Sequence, residues 1–149
     1  MQFQKSNEKD PEKIYMTRYN NLATSLLEGE VLEFVASADI DDVAGLEVRG
    51  VDAAVNLTTG IGAALAGVAP AAIAATTRFT AQVYGPASVR SNTTLTAGEA
   101  AVASSVNATS KAADASQSTA VGAAYSAAII GVTLGATNAT NSIVQLQMM

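Results

Sequence analysis

The residues best equipped for chemistry in this chain are carboxylates. Asp39, Asp41 and Asp42 cluster, with Glu28, Glu30 and Glu33 nearby in sequence. A calcium loop would need spaced oxygen ligands, a central glycine and a closing glutamate. The run Asp39 to Glu47 lacks that spacing, so a solvated acidic turn is the expected reading. A hydrolase using two carboxylates would need partners that nothing else in the chain supplies. Gly60-Ile61-Gly62-Ala63-Ala64-Leu65 opens like a dinucleotide fingerprint, but Leu65 occupies the third glycine position. Gly62 and Gly67 have P-loop spacing, yet Val68-Ala69 replace the Lys-Ser/Thr that would hold phosphate and magnesium. Nucleotide binding is therefore not expected.

The chain has no histidine and no cysteine. That removes imidazole bases, thiol nucleophiles, the usual zinc ligands and disulfides together. No catalytic residue, metal site or cofactor site is predicted, and the chain reads as a non-enzyme. Its 8 basic and 13 acidic residues give a net charge of −5. An acidic chain without a Lys/Arg cluster repels a phosphate backbone, so no nucleic-acid partner is expected.

The elements that would carry any site are short and β-like. At 149 residues the chain can bury a core without staples. Val31 to Val35 is a strand candidate, and Gly45 to Val51 alternates in polarity. Arg78 to Tyr84 is the clearest strand, with Phe79, Ala81 and Val83 on one side, and Gly85-Pro86 is expected to end it. Val144, Leu146 and Met148 oppose Gln145 and Gln147 near the C-terminus. The fold class expected is mainly β, a small β-barrel or β-sandwich. Ala63 to Ala75 and Ala108 to Ala128 are alanine-rich, which admits a short helix in either.

Charge is unevenly spread: 15 of the 21 charged residues fall in positions 1–50. The nearly uncharged remainder suits a surface covered by copies of the same chain or by a partner. Residues 1–21 read as an extended arm and 22–149 as the β domain. Ile14, Tyr15, Met16, Arg18 and Tyr19 combine interface-type residues and are the predicted partner contacts. The N-terminal stretch is polar where a signal peptide needs an apolar core, so Sec-type export is not expected. Residues 60–77 and 115–149 carry no charge, but Pro70 interrupts the first and Ser, Thr, Asn and Gln crowd the second. No membrane partner is expected. Four Asn-x-Thr sequons, at Asn56, Asn92, Asn107 and Asn138, are attributed to composition.

An internal echo runs at an offset of 69 residues. Leu26, Gly29 and Glu30 return as Leu95, Gly98 and Glu99; Ile61, Gly62 and Leu65 return as Ile130, Gly131 and Leu134. The candidate repeat covers 24–84 and 93–148, each unit built on a glycine turn that feeds a strand.

Leu95-Thr96-Ala97-Gly98-Glu99, Ile129-Ile130-Gly131-Val132-Thr133-Leu134 and Ile143-Val144-Gln145-Leu146 together resemble small capsid decoration (cement) proteins of tailed phages. Phe79 to Gly85 resembles that family's central strand. The likeness runs from Leu22 to Met149 on short motifs, and it departs from the family in the charged N-terminal segment and the alanine-rich stretch at 63–75. It implies a homo-oligomeric, commonly trimeric virion protein on the outer capsid surface, made in the host cytoplasm. Such a protein binds neighbouring major capsid protein subunits and stabilises the shell. The alternatives are a fibre, tail or cell-surface β protein that self-assembles or binds a host surface, and a small membrane-associated protein.

Overall fold

A computed structural model describes residues 12–34, 47–50, 65–91, 94–104, 111–114, 129–136 and 141–148. Those residues form nine β-strands and no helix. The strands are β1 (Ile14–Asn20), β2 (Val31–Phe34), β3 (Glu47–Gly50), β4 (Leu65–Val68), β5 (Arg78–Arg90), β6 (Ala100–Ser104), β7 (Lys111–Asp114), β8 (Ile129–Ala136) and β9 (Asn141–Gln147). Part of the first alanine-rich stretch is thus strand β4, and a piece of the second is β7. Alanine's helix preference amounts to a few tenths of a kcal/mol per residue, which pairing and burial readily override.

β1, β3, β2, β4 and β5 close on themselves as a five-stranded barrel. β1 lies parallel to β3 (Tyr19 opposite Glu47) and antiparallel to β5 (Arg18 opposite Phe79). β2 then joins β3 to β4, and β4 meets β5 where Val68 faces Gln82. Leu26, Leu32, Val48, Ala66, Ala69 and Ala81 form its interior, with Leu22, Phe34, Ile73 and Phe79 packed around them. The expected alternation holds in β9, where Val144 and Leu146 are fully buried; in β5 Ala81 and Val83 are 1% exposed or less, but Gln82 between them is buried too.

β5 does not stop at Gly85-Pro86; it runs thirteen residues to Arg90. Proline donates nothing to a ladder, and Gly85 has φ 89, a value that suits only glycine here. The Gln82 side chain holds the corner. Its Nε2 donates to the carbonyls of Tyr84 at 3.1 Å and Pro86 at 3.0 Å, on either side of the bend. A break signal in sequence thus falls inside one strand, where the Gln82 amide bonds the carbonyls on either side of Gly85.

Past that corner, the second half of β5 pairs with β9, and the sheet continues through β8 and β6 to β7. Four of the five ladders of the barrel are repeated there; the closing β1–β3 ladder has no counterpart among the described residues. Leu32 faces Gly67 and Gly50 in the first set; Ala101 faces Gly131 and Asp114 in the second. Each central strand bulges at the same place, after Leu32 and after Ala101. Val68 faces Gln82 as Val132 faces Gln145. The second half of β5 therefore occupies, beside β9, the place β1 occupies beside the first half of β5. Thr17, Arg18 and Tyr19 correspond to Ser88, Val89 and Arg90. Val31, Val68, Ala87, Val89, Leu95, Ala101, Ala103, Ile130, Val144 and Leu146 form one apolar cluster, so the seam between the two strand sets is continuous core.

In these registers Leu26, Gly29 and Glu30 take the places that Leu95, Gly98 and Glu99 take in the second set, and Gly67 takes the place of Gly131. Gly67 and Gly131 stand 64 positions apart (131 less 67), since the connection before the second strand pair is five residues shorter. Ile61 and Gly62 lie outside the described residues.

Candidate functional site

Ile14, Tyr15, Met16, Arg18 and Tyr19 all lie on β1, hydrogen-bonded in a strand rather than extended away from the domain. Residues 1–11 lie outside the described ones. Burial is uneven among the five residues. Arg18 is 5% exposed, whereas Ile14, Tyr15, Met16 and Tyr19 are half-buried. The Arg18 guanidinium is committed to the fold: its Nε donates to the Ala66 carbonyl at 3.0 Å and its Nη1 to the Thr17 carbonyl at 2.9 Å. Its central carbon sits 4.7 Å from the centre of the Phe34 ring, within cation–π range. Loss of water around this group on burial lowers its pKa below the ordinary arginine value. Arg18 thus anchors β1 to β4 and β2, and Met16, whose Sδ lies 3.5 Å from Arg18 Nη2, shares its face, whereas Tyr15 and Tyr19 lie on the opposite one.

Asn20 and Asn21 finish the strand. Asn20 is fully buried; its Nδ2 donates to the Thr24 and Ala74 carbonyls, both at 3.0 Å, and its Oδ1 accepts from the Leu22 amide. Asn21 Nδ2 donates to Glu47 Oε2 at 3.0 Å and ties β1 to β3.

The carboxylates do not converge. Asp39, Asp41 and Asp42 lie outside the described residues. Glu28 is exposed, and Glu30 Oε2 accepts from the Leu27 amide at 2.6 Å within its own turn. Glu33, 2% exposed, pairs with Arg49 at 2.8 Å. Among the described residues no group of three or more Asp or Glu could hold a metal ion. Gly60 to Ala64 also lie outside the described residues, while Gly67 sits within β4.

Two equivalent turns are the other feature of note. In the first, Leu26 to Glu30, the Gly29 amide donates to the Ala69 carbonyl at 2.8 Å and the Ala69 amide to the Glu30 carbonyl at 3.0 Å. In the second, the Gly98 amide donates to the Thr133 carbonyl at 2.8 Å and the Thr133 amide to the Glu99 carbonyl at 2.9 Å. Gly29 and Gly98 have φ of 75 and 87, which is why glycine stands in both. Sequence signalled these turns through the spaced Leu, Gly and Glu. It carried no signal for the Glu33–Arg49 pair, the Gln82 clamp, or the exposed Ile129 (46%) and Leu134 (52%).

Among the described residues, an all-β fold with a closed five-stranded barrel, extended by a second strand set that repeats four of its ladders, defines the structural class. No family model matches the chain, and no curated protein matches it. Among solved structures it is similar to the head fiber gp8.5 N base of bacteriophage phi29. The TM-score is 0.52 at 9% identity, over 91% of this chain and 96% of that one. At that identity the likeness shows a shared fold.

Proposed function

We propose that the chain is a structural protein of a phage head that serves as the base of a fibre-type appendage. The observation that carries this reading is the shared fold with a head-fibre base, which spans nearly the whole of both chains. The chemistry on the page supports a binding role. There is no histidine or cysteine in the sequence. Arginines and glutamates at buried positions are used to hold strands. No helix among the described residues is long and apolar enough to cross a membrane.

In this role the chain works by adhesion. It assembles as a homo-oligomer, with a trimer as the favoured form, and contacts the major capsid protein through the face of β1 that carries Tyr15 and Tyr19. Apolar area covered there contributes about 25 cal/mol per Å² before ordering costs, which real interfaces recover only in part. Repetition on a symmetric shell adds avidity. Capsid bridging as a cement protein is the second reading, favoured by the motif resemblance described above.

One experiment tests both. Purified chain is added to heads assembled from the capsid protein encoded by the same genome, then imaged by cryo-electron microscopy, and head heat resistance is measured. A fibre base gives discrete protruding density without a change in heat resistance. A bridging cement gives density spanning adjacent capsomers and heads that open at higher temperature. Absence of any binding overturns the head assignment.

A further inference from the structure

The second strand set repeats, in the open, a sheet face that the first set buries. In the first set Val31 of β2 stands opposite Val68 of β4, on the side turned away from the barrel interior of Leu32 and Ala66. Both are 1% exposed or less, because that side shares one apolar cluster with Ala101, Ile130, Val144 and Leu146 of the second set, and Leu65 packs against it. By register, Ala100 opposite Val132 takes the place of Val31 opposite Val68, and Val102 opposite Ile129 that of Glu33 opposite Leu65. In the second set only Val102 of these four is buried. Ile129 is 46% exposed, and Ala100 and Val132 are half-buried.

The same face continues across β9. Val132 stands opposite Gln145 and Gly135 opposite Ile143, on the side away from the buried Val144 and Leu146. Leu134, the extra residue where this register shifts, is 52% exposed. Ile129, Val132, Leu134 and Ile143 thus lend one side of two paired strands an apolar character, and neither β8 nor β9 contains a charged residue. Apolar area of this kind, bare of charge, has the composition of an interface centre.

We propose that this face of β8 and β9 is covered by the same face of a second copy of this chain. Two observations select that occupant. The equivalent face of the first set is already covered by the chain's own apolar strands, so the contact continues an interface the molecule makes within itself. The face is also complementary to its own copy: without charge it meets no like-charge repulsion, and the Gln145 and Gln147 amides at its margin can both donate and accept across a symmetry axis. In the trimer favoured above, β8 of each copy lines the three-fold axis and meets β8 of its neighbours. The inference rests on the homo-oligomer of the proposed head protein and deepens it by naming the surface at its axis.

Light scattering over a concentration series reads the mass of the natural chain and of Leu134→Glu, with circular dichroism reporting the fold. The natural chain is expected to associate. The new carboxylate stays in water on the free chain and loses it in the contact, so association is expected to weaken about tenfold or more. Because the sequence has no cysteine, Leu134→Cys and Thr80→Cys chains each carry a single thiol. Thr80 is exposed on the first half of β5, outside the proposed face. On oxidation Leu134→Cys is expected to form covalent dimer faster than Thr80→Cys, a readout that stands if Leu134→Glu fails to fold. A natural chain that stays monomeric, a folded Leu134→Glu of unchanged mass, or a Leu134→Cys chain that cross-links no faster than Thr80→Cys overturns the inference. Head binding is read in a separate assay. A monomer that still binds heads strikes this inference alone, and association without head binding strikes the head reading alone.

Discussion

The Glu33–Arg49 pair offers a sharp test, because its two ends sit in different surroundings. The Glu33 side chain is 3% exposed and that of Arg49 26%, with Nε and Oε1 2.8 Å apart. Removing Arg49 leaves a carboxylate in a dry site with no route to water, a loss of about 3–5 kcal/mol for a stranded buried charge. Removing the charge on Glu33 leaves a guanidinium that can turn toward solvent. The loss is then about 1.5–3 kcal/mol, the worth of one hydrogen bond to a charged group. For a chain of this length 1 kcal/mol moves Tm by about 2–4 °C, so Arg49→Ala is expected to lower Tm by about 6–20 °C and Glu33→Gln by about 3–12 °C. The order of the two is the prediction. Replacing both together, as Glu33→Leu with Arg49→Met, is expected to recover much of the loss, since an apolar pair has no stranded charge. Thermal melts followed by circular dichroism at low and high salt are the assay, and burial makes the ordering insensitive to salt. Glu33→Gln costing as much as Arg49→Ala, or a double variant worse than either single, would refute the reasoning.

Gly85→Ala is expected to be far more damaging than Gly98→Ala. Both change a positive φ, but a Cβ at Gly85 would overlap the Glu12 carbonyl and press the Lys13 Cα at 3.1 Å; comparative melts measure this. Leu146→Ala should cost about 2–5 kcal/mol, because this fully buried side chain packs with Val31 and Val68 of one strand set and Ile130 and Val144 of the other. Leu134→Ala should stay within about 0.5 kcal/mol in the monomer, and urea titrations of the two variants compare them directly. Arg18→Lys should destabilise by about 1–2 kcal/mol, since one ammonium cannot bond two carbonyls in the planar arrangement and also stack on Phe34.

The residue inventory and the local periods determined a great deal unaided. An absence of histidine and cysteine sets aside most site chemistry without any coordinates, because the side chains are not there to do it. Alternation in Arg78 to Tyr84 and in Ile143 to Met148 names core residues, since a strand repeats every two residues whatever it packs against. The spaced Leu, Gly and Glu at 26–30 and 95–99 mark real turns, as positive φ is a local demand that glycine meets.

Tertiary structure decided the matters that depend on distant partners. Gly85-Pro86 is a break by every local rule, and it becomes a corner only because Gln82 reaches two carbonyls and β9 lies alongside. Arg18 looks like an interface cation in sequence. It is a buried tie because Ala66, 48 residues away, offers a carbonyl and Phe34 a ring. The offset of the repeat changes between its first and second anchors, which pairing resolves and residue spacing cannot. Gly29 and Gly98 are alike as sequence and as backbone. What separates them is the neighbour: Ser88 and Arg90 of β5 lie against Gly29, whereas a Cβ on Gly98 would meet nothing within 4 Å, and no local signal encodes which turn is covered.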